Sequence, residues 1–188
     1  MSSSSTTASE NTQKKITTKK LVTMAMFAAI LCISAYISIP LPLPGAPHIT
    51  MLNFVILLIA LLFSSGEGFL IILVWLILGI LGLPVFIGGG AGIGYLMTPY
   101  GGYTLVFPLI GLLLPVFRGK SYHRFRYTVA AVIGALLIDL IGMFWLMAAS
   151  HYSLRTGLLT GFLPFLPLDL LKSVIAAQIV PAFRRIMN

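Results

Sequence analysis

From Leu21 onward the chain is a series of apolar runs broken by short polar or Gly/Pro-rich stretches. The runs are Leu21 to Ile39, Ile49 to Phe63, Phe69 to about Ile87, Tyr103 to Phe117, Tyr127 to about Ala149 and Leu166 to about Ile186. A helix rises ~1.5 Å per residue, so ~20 apolar residues cross a hydrocarbon core ~30 Å thick. The pattern therefore predicts an all-α membrane protein with six transmembrane helices. The second and fourth runs, 15 residues each, fall short of a full crossing.

The breaks are as informative as the runs. Pro40, Pro42, Pro44, Gly45 and Pro47 predict an extended loop, and Ser64-Ser65-Gly66-Glu67-Gly68 a turn. Pro84 sits near the outer end of the third run, and a Gly-rich stretch follows from Gly88 to Tyr103. Residues 1–20 are Ser/Thr-rich, end in lysines and cannot build a core, which predicts a disordered polar tail ahead of a six-helix domain over 21–188. The run from Leu21 to Ile39 is longer than the apolar segment of a signal peptide and lacks a clear small-x-small cleavage site.

Composition sharpens the class. Hydrophobic residues make up 59% of the 188 and charged ones 9%, against roughly a quarter charged in soluble proteins, whose surface must stay wet. The net charge of +8 does not form a nucleic-acid-binding stripe. Ten of the twelve basic residues fall in three clusters at the edges of apolar runs: Lys14, Lys15, Lys19 and Lys20; Arg118, Lys120, Arg124 and Arg126; Arg184 and Arg185. Basic residues flanking spans mark the cytoplasmic side. Keeping all three clusters there requires even numbers of crossings between them. Six spans satisfy this as four plus two; four also do, if the second and fourth runs only dip in. Either count puts both termini in the cytoplasm and the Pro-rich loop, the Gly-rich loop and Ser150 to Phe165 outside.

Few residues could carry chemistry. Pro167 suits the first turn of the last helix, which places Asp169 in that turn and Lys172 one turn further on the same side. The two can form a simple interfacial ion pair. They can equally hold a small ligand, the ammonium binding a carboxylate and the Asp accepting N–H groups, each charge-assisted bond contributing ~1.5–3 kcal/mol. Asp139 lies mid-span in LLIDLIG, and an intramembrane aspartyl enzyme would need a second Asp in a Gly-x-Gly-Asp setting that neither Asp139 nor Asp169 has. GGGAGIG, residues 88–94, contains no G-x-G-x-x-G, and Gly119-Lys120-Ser121 lacks the first glycine of a Walker A loop, since Leu114 stands there. No nucleotide-hydrolysing motif is visible. Cys32 is the single cysteine, and His48, His123 and His151 have no partner at ligand spacing, so no metal is expected. In the first run Ala25, Ala28, Ala29, Cys32 and Ala35 recur every three or four residues, a smooth face against which another helix can pack.

Over roughly Leu21 to Arg185 the chain resembles the biotin-specific substrate-binding components, the BioY family, of energy-coupling-factor transporters. The resemblance rests on GLPVFIGGGAGIGYLMTPYGGYTLVFP (82–108), on LPLDLLKSVIAA (166–177) and on Gly142-x-x-Trp145. It implies high-affinity biotin uptake across the cytoplasmic membrane with no chemistry on the substrate and no cofactor. It implies as partners a transmembrane coupling subunit and two ATPases, and a toppling motion that turns the loaded site inward. Carried over, Asp169 and Lys172 match the family's polar pair, and Gly89, Gly90, Tyr95, Gly101, Gly102, Tyr103 and Trp145 its ligand-binding region. Ala25, Ala28 and Ala29 match its docking face. The chain departs from the family's pattern at Leu52-Asn53, where Gln is usual and Asn53 is taken as the substrate-binding residue, at Tyr100, where Thr is common, and at Asp139, more often neutral or aromatic. An intramembrane enzyme using Asp139, a self-sufficient secondary transporter, and a component for another carboxylate-bearing vitamin remain alternatives at this level.

Overall fold

The computed structural model describes residues 17–42 and 48–187. The tail expected over 1–20 lies outside it up to residue 16, as do Lys14, Lys15, Pro44, Gly45 and Pro47. In chain order come α1 (Thr18–Ser34), β1 (Ser38–Pro40), β2 (His48–Thr50), α2 (Leu52–Leu62), α3 (Ser65–Ile80), a 3-10 turn (Ile87–Gly89), α4 (Gly92–Leu96), α5 (Gly101–Arg118), α6 (Arg124–Ser150), α7 (Leu154–Gly157), a π turn (Leu158–Phe162) and α8 (Leu166–Met187). Six of these helices have at least 11 residues and fall on the six apolar runs. By length and composition α5, α6 and α8 can each cross a membrane unaided, while α2 and α3 are shorter apolar helices.

The element ends differ from the expectation for local reasons. Helix α1 starts at Thr18, inside the expected tail, and stops at Ser34 rather than Ile39. Beyond it Ser38–Pro40 pairs antiparallel with His48–Thr50, Ile39 opposite Ile49. The end of the first run and the start of the second thus form a hairpin, which suits β-branched Ile and Thr and leaves Pro40 at a strand end, where its missing N–H is tolerated. Helix α3 begins at Ser65 because Glu67 accepts the Ser64 N–H at 3.3 Å, which makes the expected turn a helix start. It ends at Ile80, seven residues short of Ile87, where Gly82 takes φ +103° and Pro84 follows.

Helix α2 forms the centre of the bundle. From Val55 to Leu62 every side chain is buried, and α8, α5, α1, α3 and α6 all pack around it. A helix enclosed by protein need not match the hydrocarbon thickness, which explains its 11 residues. At its C-terminal end Arg118 is buried, not exposed like a cytoplasmic anchor. Nε donates to the Ala60 carbonyl at 3.1 Å and a terminal nitrogen to Phe63 O at 2.6 Å, so the guanidinium satisfies carbonyls that the helix end leaves open. Tyr127 lies between Arg118 and Arg184, its hydroxyl accepting from both at 2.8 and 2.6 Å. Nearby, Lys20 pairs with Glu67.

Candidate functional site

At the opposite end of the bundle the starts of α2, α5 and α8 and the second half of α6 enclose a cavity of about 480 Å³. That lies within the roughly 300–1,000 Å³ usual for small-molecule sites. Its polar floor is built by three helices. Asn53, in the first turn of α2, donates from Nδ2 to Asp169 Oδ2 at 3.0 Å, and Asp169 stands in the first turn of α8. Lys172, one turn along α8, donates to Asp169 Oδ1 at 2.8 Å and to the Thr50 carbonyl at 2.7 Å. Thr50 also accepts the Leu52 N–H at 3.0 Å on its side chain, so one residue starts α2 and anchors the lysine. Asp139 faces this group from α6 and interacts electrostatically with both Asp169 and Lys172.

The walls are aromatic. Tyr103 stacks on Tyr100 with ring centres 6.1 Å apart and meets the edge of Phe165 at 5.9 Å, and its hydroxyl donates to the Gly161 carbonyl in the π turn. Tyr95 stacks on buried Phe86 at 4.9 Å, and Phe86 packs edge-on against Trp75 at 5.3 Å. Burial pushes the Tyr95 phenol above its ordinary range, so it stays neutral. His48 from the hairpin, Ser150 at the end of α6 and Tyr152 just beyond it also line the cavity.

The expected site residues divide into two groups. Asn53, Tyr95, Tyr103 and Asp169 line the cavity. Lys172 belongs to the floor through its bonds to Asp169 and Thr50, while Gly89, Gly90, Gly101, Gly102 and Trp145 are not among the lining residues. The Lys172 ammonium, expected to meet a ligand carboxylate, donates to Asp169 and to the Thr50 carbonyl and has one further N–H. Gly90 lies under the Tyr95 ring, where a Cβ would come within 2.4 Å of it, and Gly102 under Trp145, where a Cβ would come within 2.2 Å. Trp145 donates from its indole to Thr98 O at 3.1 Å and so fixes the lining segment Thr98 to Tyr100. Gly89 takes φ +79° in the 3-10 turn, and a Cβ on Gly101 would strike the Leu96 carbonyl at 2.0 Å. Gly90, Gly101, Gly102 and Trp145 thus shape the walls through close packing.

Asp139, Thr50 and Phe165 belong to the lining without having been chosen from sequence. Asp139 had a visible signal, a carboxylate in the middle of an apolar run; Thr50 and Phe165 had none. Of the alanines in α1, Ala25 and Ala29 are exposed, whereas Ala28 is half-buried and packs on the core.

A helical membrane bundle with a ligand-sized, polar-floored cavity at one end defines a small-molecule binding protein. The BioY family model matches residues 7–188, and the chain belongs to that family. It is 35% identical over 161 residues to a probable biotin transporter of Pyrococcus horikoshii, covering 86% of this chain and 93% of that one. With the biotin transporter of Thermotoga maritima it shares 31% over 168 residues, 89% of this chain and 97% of the other. Its fold superposes on the crystal structure of the S-component for biotin from an ECF-type ABC transporter with a TM-score of 0.80 at 27% identity, covering 88% and 90% of the two chains. FolT bound with folic acid shares the fold, with a TM-score of 0.59 at 18% identity over 86% and 95%.

Proposed function

We propose that this chain binds biotin and serves as the substrate-specific component of an energy-coupling-factor transporter, taking the vitamin across the cytoplasmic membrane unaltered. The observation that carries the reading is the cavity itself, with a floor of hydrogen-bonding groups from three helices and walls of tyrosine and phenylalanine. Biotin has matching parts: a cyclic urea rich in N–H and C=O, a thioether ring and an acidic chain. Asp169 accepts a urea N–H, the second Nδ2 hydrogen of Asn53 meets the urea carbonyl, and the aromatic walls cover the ring. The Lys172 ammonium is already engaged by Asp169 and the Thr50 carbonyl, so the ligand's carboxylate is assigned to the other end of the cavity. The acidic chain points to the mouth, beside His48 and Tyr152.

All six long helices cross the membrane, with both termini and the Arg118–Tyr127–Arg184 cluster on the cytoplasmic side and the cavity toward the exterior. A coupling subunit docks on Ala25 and Ala29 of α1, and two ATPase subunits supply the energy. Similarity to a component of such a transporter supports these partners.

Titration calorimetry on the purified chain in detergent tests the reading. One biotin should bind per chain without turnover, and Asp169→Asn should weaken binding by about 10- to 100-fold, the share of one charge-assisted hydrogen bond. A biotin methyl ester should bind wild type and Lys172→Met with the same ratio as biotin. Absence of binding, or product formation in place of it, would overturn the proposal. An ester that alone escapes the Lys172→Met loss would return the carboxylate to the lysine.

A further inference from the structure

Among the polar groups of the cavity, Asp139 stands out by what it lacks. It is 1% exposed and lines the cavity, yet its Oδ2 has no hydrogen-bond partner among the described residues. A buried oxygen that has given up water and gained nothing is costly, and the cost falls away when something in the cavity donates to it.

The neighbouring donors have other partners. Lys172 gives to Asp169 and the Thr50 carbonyl, Asn53 Nδ2 to Asp169, and the Tyr103 hydroxyl to the Gly161 carbonyl. Asp139 comes from α6, while Asp169 and Lys172, with which it interacts, come from α8. The floor therefore presents two carboxyl groups from separate helices: Asp169, hydrogen-bonded through both oxygens, and Asp139, which meets Asp169 by a side-chain hydrogen bond and keeps one buried oxygen unpartnered among the described residues. Such a floor suits a ligand that carries two N–H donors.

We infer that Asp139 is a ligand-contacting residue, its open oxygen accepting the second N–H of the bound cyclic urea while Asp169 accepts the first. The inference rests on the biotin reading and adds a determinant of specificity to it. Ligands lacking one of the two N–H groups are rejected because a buried carboxyl oxygen is left unfilled.

The test is a cycle between protein and ligand. Wild type, Asp139→Leu and Asp139→Asn are purified as the full chain in detergent and titrated with biotin and with two analogues, each methylated on one urea nitrogen. Asp139→Leu should weaken biotin binding about 10- to 100-fold. Methylation of one particular nitrogen should weaken wild-type binding by a similar factor and add little in Asp139→Leu, whereas methylation of the other should cost both proteins equally. Thermal unfolding without ligand separates binding from scaffolding: removing an unfilled oxygen should leave the melting temperature of Asp139→Leu equal to or above that of wild type. If Asp139→Leu does not accumulate, Asp139→Asn keeps the test, with a smaller loss confined to the same nitrogen.

Biotin binding to Asp139→Leu at wild-type strength overturns the inference and leaves the biotin reading intact. So do methylation losses that simply add at both nitrogens, or a lowered melting temperature with unchanged selectivity. Wild type that binds no biotin removes both.

Discussion

Asn53 and Asp169 are 116 residues apart in sequence and joined by a 3.0 Å hydrogen bond that ties the first turn of α2 to the first turn of α8. The bond holds the carboxylate in place before any ligand arrives, and orientation fixed in advance lowers the entropic cost of binding. Asn53→Ala removes the bond and its spare N–H together. Affinity for biotin should fall by about tenfold or more, from the ~1.5–3 kcal/mol of a hydrogen bond to a charged group, as read by calorimetry. Circular dichroism should show unchanged helix content.

Lys172 and Asp169 form a largely buried pair, and losing one partner of such a pair destabilises by ~3–5 kcal/mol because the other charge stays uncompensated. Lys172→Met should therefore lower the melting temperature strongly. The double variant with Asp169→Asn should lose less than the two single losses combined. Strict additivity would show that the two side chains are not coupled.

Gly142 is the position where α6 lets the Tyr103 ring lie against its backbone. A Cβ there would sit 2.1 to 2.4 Å from three ring carbons. Gly142→Ala should push the ring into the cavity, lowering stability by ~1–3 kcal/mol and biotin affinity with it. A melting curve combined with a titration checks both, and normal affinity would mean that the ring moves elsewhere.

Arg118 should tolerate no replacement. Arg118→Ala leaves the Ala60 and Phe63 carbonyls and the Tyr127 hydroxyl without this donor, at a cost of about 2–4 kcal/mol. Lysine should not restore the loss, since one ammonium cannot reproduce a planar fork reaching carbonyls on two sides. Biotin affinity of the folded fraction should stay near wild type, because the cluster lies at the other end of the bundle.

On α1, Ala29→Trp should leave biotin binding unchanged and abolish uptake in cells that supply the coupling and ATPase subunits. Ala28→Trp should instead lower the melting temperature, because Ala28 packs inward. Uptake that survives Ala29→Trp would move the docking face elsewhere.

Much of this was legible in the sequence. Apolar runs are strong signals, and all six returned as helices because hydrocarbon and protein interiors both demand satisfied backbones. Pro167 placed the start of the last helix within one residue of Leu166, and the i, i+3 spacing put Asp169 and Lys172 on one side of it. What could not be read was direction. The spacing of Asp169 and Lys172 gave no sign that the ammonium also reaches the Thr50 carbonyl, 122 residues away in sequence. The glycines were likewise recognisable as a group, but whether each faces a ligand or a ring depends on chain segments far away, as Gly102 under Trp145 shows. The hairpin was missed because Ile37, Ile39 and Ile49 prolong apolar runs that already looked long enough to be helix.

The brevity of α2 fixes the depth of the cavity floor. From Tyr127 to Asp139 along α6, and from Arg184 back to Asp169 along α8, the rise is ~18–22 Å. Beyond Asp139, α6 climbs a further ~17 Å to Ser150, while α2 has ended at the floor. The site is the headroom above a short post, and under the proposed function a hydrophilic vitamin head would be lowered below the level of the lipid headgroups before the transporter moves.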